Sequence, residues 1–501
     1  MKSFKEKVIR GVIWTVVETF TTKFGTFLVT LLLARLLTPD DYGTVALLTL
    51  IVNMSSVLID CGFGMALVQK KNATDVDFNS VFYLGLGVSV IIYLVLFFGA
   101  SWVADFYARP ELIPLLRVLA LTLIVNVYGG IQGAELQRRL AFDLTFRVAI
   151  VRFLVTSSTG ISLAVLKYGP WALVLSTLLG GIATVVTNLI FVKWRPTLRF
   201  SFPALKELFS FGWKFSASWL LSVAYDNIYG MIVGKVYSPA DFAFYEKGRQ
   251  VPELGMIAVN GTVQRVSFPA MAQIQDERER VRNVMRRMVQ CSTFVVFPIM
   301  VGIAACADPL VLKLYGGQWG PAIPFTIIMS FCYILYPFHT INLQTISALG
   351  RSDIFLKLEV VKKIVNVLIL VFTYRYGVLV MVAASTFIGG PLGMLINVYP
   401  CKKILGYSLW MQICDTLPSA AISLIMGGIM YCSRWLPFDL TYTMIFQFLI
   451  GIGVYFMLAW LFRLTPLKEY LAIIDDGWKE KMPSFLKGFW KSFYGHLTQK
   501  G

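Results

Sequence analysis

Charged and amide side chains recur at helical spacing inside stretches that are otherwise apolar, and any chemistry in this chain must lie there. In 241–268, Glu246, Arg249, Gln250 and Glu253 fall on one stripe, Lys247 flanks it, and Pro252 can open the backbone beside it. In 10–36, Thr15, Glu18, Thr19, Thr22 and Thr26 share a face and Lys23 adjoins it. Residues three and four apart meet on one side of a helix. By the same spacing Asn53, Ser56 and Asp60 line 42–69, and Ser218, Ser222, Asp226 and Asn227 line 209–236. Arg147 and Arg152 lie in 145–167, and Lys357, Glu359, Lys362 and Lys363 in 353–376. Charges and amides held inside apolar runs are suited to lining a wet, polar cavity and not to facing lipid. Metal chemistry is not suggested: the seven cysteines are scattered without a CxxC pair, and the two histidines are His339 and His496. His339, beside Pro337, reads as a satisfied polar residue rather than a proton relay.

The elements that must position these groups are spans. Hydrophobic residues make up 57% of the 501 and mean hydropathy is +0.69. Apolar runs of about twenty residues recur, the length a helix needs to cross a bilayer core. Such a chain folds in lipid. The expected fold is an all-α, polytopic membrane protein of about fourteen helices, at 10–36, 42–69, 78–104, 111–136, 145–167, 170–193, 209–236, 241–268, 288–312, 321–347, 353–376, 378–400, 411–433 and 440–462. The first run is too long, and carries Glu18 and Lys23, for a cleaved signal sequence, so it is read as a retained span.

A charge at the bilayer centre costs from about 3 to more than 10 kcal/mol, so each one needs a reason. Glu246 with Arg249, and Arg249 with Glu253, are spaced for pairs within one helix. Snorkelling or pairing accounts for Arg117, Arg147, Lys357 and Arg265. Lys23, Arg152, Asp226, Arg249 and Lys362 sit further in and predict a water-filled cavity. The formal charge of +17 fits cytoplasmic loops meeting anionic membrane lipids, and a nucleic-acid partner is not expected. Loops ending in Lys70-Lys71, Arg138-Arg139, Arg286-Arg287 and Lys402-Lys403 alternate with loops of one basic residue each, which places both termini in the cytoplasm.

The chain also repeats. Ala34 to Gly43 recurs as Gly234 to Ala243, two hundred residues on and six spans later. An even spacing preserves direction, so the halves are expected to be parallel repeats. Thr38 and Ser238 are placed to cap the next helix, with proline in its first turn. The expected organisation is an N-lobe at 1–200, a C-lobe at 201–402, two further helices at 403–464, and a cytoplasmic amphipathic tail at 465–501. The stretch 200–211 reads as an interfacial linker.

The segments GVIWTVVETF, LLLARLLTPDDYGTVAL, DCGFGMALVQ and GKVYSPADFAFYEKGRQVPEL resemble the polysaccharide transporter family, the Wzx-type flippases of the MOP superfamily, nearest to colanic-acid and teichuronic-acid exporters. The resemblance covers nearly the whole chain. It implies two six-helix lobes around a cationic cavity, and alternating access that moves an undecaprenyl-pyrophosphate-linked glycan across a bacterial inner membrane. It also implies polysaccharide polymerase machinery as a candidate partner. On that reading Lys23, Arg152, Lys247 and Arg249 are candidate pyrophosphate ligands, and Asn53, Ser222, Asn227 and Gln250 candidate sugar contacts. Glu18, Asp60, Asp226 and Glu253 are candidates for coupling to protons or sodium, or for neutralising the cations. No other cofactor is expected. Lipid II flippases of the superfamily carry cations on helices 1, 2 and 8; here helix 2 has Asp60 instead.

A MATE-type multidrug exporter is the competing transporter reading, but it should favour an acidic, aromatic cavity. A polymerase or ligase would be expected to present catalytic groups on a large outer loop, and every outer loop here reads as short, so the protein is not expected to be an enzyme.

Overall fold

The computed structural model describes residues 21–60, 63–70, 73–139, 141–192, 194–206, 209, 223, 227–435 and 439–478. Every regular element among them is helical. Two compact units, Met1–Ala243 and Phe244–Gly501, divide the chain, and the boundary falls within one helix. Ten helical stretches among the described residues are long and apolar enough to cross a membrane.

The first unit holds α1 (21–36), α2 (Pro39–Asp60), α3 (Phe63–Gln69), α4 (Asp75–Tyr107), α5 (Leu112–Leu119), α6 (Leu121–Arg138), α7 (Phe142–Val165), α8 (Trp171–Phe191), α9 (227–236) and the start of α10 (Pro239–Ala272). The repeated sequence does the same work twice. At the head of α2, Asp41 N–H donates to Thr38 Oγ1 (3.2 Å) while Thr38 N–H donates to the Asp41 carboxylate (2.9 Å). At the head of α10, Asp241 N–H donates to Ser238 Oγ (3.1 Å) and Ser238 N–H to Asp241 (3.1 Å). Each reciprocal pair satisfies two N–H groups that a helix start leaves open, and proline fills the first turn, where no N–H is needed. The two copies also touch: a Cβ on Gly43 would collide with the Pro239 carbonyl oxygen. On the same side, Gly230 lets α9 pack directly on Leu50 of α2 and on Phe242.

Beneath these starts, Leu48, Val52, Ala100, Leu112, Leu116, Leu123 and Val174 form one core. A second gathers Phe63, Phe82, Leu136, Trp194 and Leu205. The connector after α8 is tied to the head of α4 by Asn79, which donates to Thr197 Oγ1 (2.6 Å) and accepts from Thr197 N–H (3.1 Å). Its Leu198, Phe200 and Phe202 stay exposed, as an interfacial segment requires.

The second unit continues α10 and adds α11 (Arg278–Ala305), α12 (Ala307–Tyr315), a 3-10 turn (Gly317–Ala322), α13 (Ile323–Ile334), α14 (Tyr336–Ala348), α15 (Ser352–Thr373), α16 (Val378–Ala384), a π-helical turn (Ser385–Gly389), α17 (Gly390–Leu405), α18 (Leu409–Cys432), α19 (Leu440–Leu461) and α20 (Thr465–Trp478). Helix α11 is its spine: Val281, Met285, Val289 and Phe297 pack with Phe338, Ile341, Met394 and Val398. At one end Arg286 grips Asp415 of α18 with both nitrogens (2.7 and 2.5 Å), and Tyr407 O–H donates to the same carboxylate (2.9 Å). The tail begins as α20, whose Leu467 and Leu471 are buried in the cluster around Phe294, Met426 and Tyr455. Residues 479–501 of the tail lie outside the described residues.

Besides the short α3, α12 and α20, four helices fall outside the ten apolar stretches. α10 and α15 each carry four charges within eight residues, and α1 and α9 are described only from 21 and 227 onward. Elsewhere large apolar side chains face outward, among them Phe98, Trp102, Phe372, Tyr399 and Phe448, a surface suited to hydrocarbon and not to water.

Because the neighbour of Gly43 is backbone, Gly43→Ala should cost about 1–3 kcal/mol by overpacking. The thermal unfolding midpoint in detergent should fall accordingly. Gly87→Ala, where nothing lies within 4 Å, should leave it unchanged or slightly higher.

Candidate functional site

The densest set of predicted site residues is on α10, within the second unit. Arg249 is held between carboxylates one turn either side: Nη2 lies 3.2 Å from Glu246 Oε2 and Nε 3.5 Å from Glu253 Oε2. Its guanidinium sits 5.8 Å from the ring centre of Tyr245. The three charged side chains keep 32–39% of their surface exposed, so they are neither sealed in protein nor fully hydrated. Arg249 Nε is buried without a hydrogen-bond partner, the ion pair at 3.5 Å being too long to serve as one. One cation and two carboxylates make this cluster locally anionic.

The predicted stripe splits at Lys247 and Gln250. Lys247 keeps only 6% of its surface and lies against an aromatic box, 5.7 Å from the Tyr315 ring and 5.8 Å from Trp319. Gln250 Oε1 accepts from Tyr315 O–H (3.2 Å). Gly248 makes this possible: a Cβ there would stand 2.5 Å from Phe325 Cβ and 2.9 Å from the Ala322 carbonyl. Helix α10 therefore presses onto the 3-10 turn and α13 through one residue without a side chain, which turns Lys247 and Gln250 to that side. The ring quadrupoles offer Lys247 partial compensation for lost water. Tyr315 and Trp319 were not singled out from the sequence, because they lie some seventy residues beyond Lys247 and carry no local signal.

In the first unit the cations are less encumbered. Lys23 on α1 and Arg152 on α7 are both exposed, and neither has an ion-pair partner among the described residues. Their helices are in contact, since a Cβ on Gly25 would stand 2.7 Å from the Phe153 ring and one on Gly160 3.6 Å from Leu33. Arg152 leans over α8, its Cγ 3.7 Å from the Cβ position of Gly180. Asn53 is exposed on α2, and its carbonyl accepts from Ser56 Oγ (2.7 Å). Asp60 is exposed at the end of α2, a carboxylate oxygen 3.1 Å from the Cβ position of Gly64. Asn227 turns inward on its own helix, donating to the Val223 carbonyl (2.6 Å). Glu18, Ser222 and Asp226 lie outside the described residues.

A polar seam that the sequence reading did not assemble runs between α14, α15 and α17. His339 Nδ1 is 3.0 Å from Asn397 Nδ2. Lys362 Nζ reaches Glu359 Oε1 at 2.5 Å. Gly393 separates the two, its Cβ position 3.1 Å from His339 Cε1 and 3.7 Å from Lys362 Cδ. One turn along, Asn366 abuts Gly389. The sequence signal was present in the four-residue spacing of Gly389, Gly393 and Asn397, opposite that of Lys362 and Asn366. No group of His, Cys, Asp and Glu suited to holding a metal ion occurs among the described residues.

Residues 32–324, more than half of the chain, match the polysaccharide biosynthesis protein family. The chain belongs to that family. It is 24% identical over 411 residues to the teichuronic acid biosynthesis protein TuaB of Bacillus subtilis, covering 79% of this chain and 80% of TuaB. To the lipopolysaccharide biosynthesis protein WzxC of Escherichia coli it is 24% identical over 458 residues, covering 90% and 89%. The structure superposes on the lipid II flippase MurJ in its inward closed conformation with a TM-score of 0.70 at 15% identity, covering 90% of this chain and 98% of MurJ. This family member thus has a polytopic all-α fold like that of MurJ, and the all-α membrane fold expected from the sequence holds.

Arg249→Leu should strand Glu246 and Glu253 two turns apart with no cation between them. With all three side chains about a third exposed, the loss of stability should be roughly 1–2 kcal/mol, below the 3–5 of a sealed pair. Thermal unfolding in detergent should register it, and the triple variant Glu246→Gln, Arg249→Leu, Glu253→Gln should recover most of the loss.

Proposed function

We propose that this family member is a flippase that translocates a lipid-linked oligosaccharide across the membrane by alternating access, for surface polysaccharide biosynthesis. The observation that carries the reading is a pair of exposed cations, Lys23 and Arg152, on two contacting helices, neither with an ion-pair partner among the described residues. Charges in a lipid-embedded bundle persist where they meet water or an anionic ligand. TuaB and WzxC are named for the biosynthesis of teichuronic acid and lipopolysaccharide, which supports a glycan as cargo. In this reading the lipid carrier is undecaprenyl pyrophosphate. Its two phosphates need cations and donors in place of water, while the polyprenyl tail stays in hydrocarbon.

Lys23 and Arg152 take the role of first phosphate ligands, because neither must break an existing pair. Arg249 is available only when one of its carboxylates lets go, which makes Glu253 a natural point at which a proton or sodium ion could be coupled to binding. Glu18, Asp60 and Asp226 remain candidates for the same coupling, and Asn53, Ser222, Asn227 and Gln250 for sugar hydroxyls. Lys247, boxed by Tyr315 and Trp319, would act by setting the charge of the site, or bind only after leaving its box. Residues 1–200 and 201–402 serve as the two repeated lobes, followed by 403–464 and the tail from 465. The distribution of loop lysines and arginines supports a bacterial inner membrane with both termini inside, and polymerase machinery is the proposed downstream partner.

The anionic balance of Glu246, Arg249 and Glu253 is the one observation favouring a MATE-type exporter of organic cations. The two readings separate in one experiment. Lys23→Glu and Arg249→Glu should each cut transport of a fluorescent lipid-linked oligosaccharide in proteoliposomes about ten- to a hundredfold, the loss of one charge-assisted hydrogen bond of roughly 1.5–3 kcal/mol. Lys23→Arg should retain it. Full transport by both charge-reversed proteins would overturn Lys23 and Arg249 as ligands, whereas no oligosaccharide transport by the unmodified protein, together with gain of resistance to cationic dyes in an exporter-deficient strain, would favour the drug exporter.

A further inference from the structure

Within the first unit, an apolar groove of about 810 Å³ opens beside α4, and none of the proposed cargo ligands lines it. One wall is a stripe of exposed α4 side chains four residues apart, Leu94, Phe98, Trp102 and Phe106. Ile51 of α2 and Met231 of α9 supply the others. Two glycines bring α9 close: a Cβ on Gly230 would collide with Leu50, and one on Gly234 with Leu47. Gly99 lies on the α4 side of the groove, with nothing within 4 Å of its Cβ position. At the rise of an α-helix, the wall from Leu94 to Phe106 is about 18 Å long. One leaflet's hydrocarbon is about 15 Å deep, half of the bilayer core, so the groove is sized for an alkyl chain lying along α4.

Its mouth is charged, which sets it apart from a plain lipid-facing surface. Lys235, one turn beyond Met231 on the same side of α9, lies over the Phe106 ring with Nζ 4.2 Å from the ring centre. Its ammonium also donates to the Phe106 carbonyl. Lys235 is exposed and has no ion-pair partner among the described residues. An ammonium carries three N–H donors, so one carbonyl and one ring leave it charged with a donor to spare. Asp105 continues the α4 stripe, seven residues after Phe98 and three after Trp102. It too is exposed, and its carboxylate has neither an ion pair nor a hydrogen bond among the described residues. Arg109 is already taken, by Asp40 at 2.7 Å and Glu111 at 2.9 Å. Trp102 and Tyr107 stand at the same end, and such side chains settle at headgroup level. The lining has no side-chain amide or aliphatic hydroxyl, which an oligosaccharide would need. What the mouth offers is one cation and one carboxylate, the complement of a headgroup that carries both signs.

We infer that this groove binds a zwitterionic aminophospholipid, a glycerophospholipid with one phosphate and a primary ammonium. An acyl chain lies along α4, the phosphate meets Lys235 and the ammonium meets Asp105. A lipid seated this way ties α4 to α9 through its chain and its headgroup together. The site is independent of the flippase reading.

Native mass spectrometry of the full chain tests it, with delipidated protein in mild detergent titrated with lipids of identical acyl chains. Phosphatidylethanolamine should fill one saturable site more tightly than phosphatidylglycerol or phosphatidylcholine. Lys235→Gln keeps a donor for the Phe106 carbonyl but removes the charge, and should weaken phosphatidylethanolamine about fivefold, the share of one interfacial cation. Asp105→Asn should reverse the order, so that phosphatidylglycerol binds more tightly. Gly99→Phe should fill the groove and abolish the saturable site, while the unfolding midpoint in lipid-free detergent does not fall, because glycine leaves a helix interior. Equal binding of the three lipids, or an order and affinity unchanged by Lys235→Gln and Asp105→Asn, overturns the headgroup assignment. A saturable site that survives in Gly99→Phe overturns the groove. Displacement of phosphatidylethanolamine by the fluorescent lipid-linked oligosaccharide, itself lost in Gly99→Phe, would make the cargo's chain the occupant and overturn the phospholipid.

Discussion

A charge inside hydrocarbon must find a counter-charge, an aromatic face, a ligand or water, and that requirement organises both units of this protein. Arg249 meets it with two carboxylates on its own helix, Lys247 with Tyr315 and Trp319, and Lys362 with Glu359. Lys23 and Arg152 meet it with nothing charged among the described residues. The difference sorts structural charges from available ones better than depth along a span does. A cation already neutralised can take a phosphate only by giving something up, whereas an exposed, unpaired cation is limited only by its water.

The same requirement explains where glycine falls. Gly248 lets α10 sink onto the 3-10 turn so that Lys247 reaches its aromatic partners, and Gly393 lets His339 and Lys362 face each other across α17. Gly43 brings the two copies of the repeated helix start into backbone contact. In each case a missing side chain brings backbones together where hydrophobic pressure between helices is weak, as in other membrane bundles.

Family membership and fold agree on the class of work, and the geometry adds what neither supplies. Within the second unit, α10 carries a cation held between two carboxylates; within the first, Lys23 and Arg152 are exposed with no ion-pair partner among the described residues. The seam on α14, α15 and α17 is a second polar centre, built from amides, one imidazole and the Lys362–Glu359 pair.

Much of this was legible in the chain itself. Hydrophobic run length determines that it spans a membrane, because a backbone in lipid must satisfy its own hydrogen bonds and only helices of that length do so. The two capped helix starts at Thr38–Asp41 and Ser238–Asp241 are local chemistry, settled within four residues, and the structure has them as the sequence predicts. Pairing of Glu246, Arg249 and Glu253 follows from helical spacing for the same reason. Which way Lys247 and Gln250 face did not follow, because that depends on Tyr315 and Trp319 arriving from another helix. Nor did the pairing of His339 with Asn397, fifty-eight residues apart, which exists only because a glycine in α17 admits the ring. Local spacing sets the partners a residue can meet on its own helix; only packing sets those it meets across one.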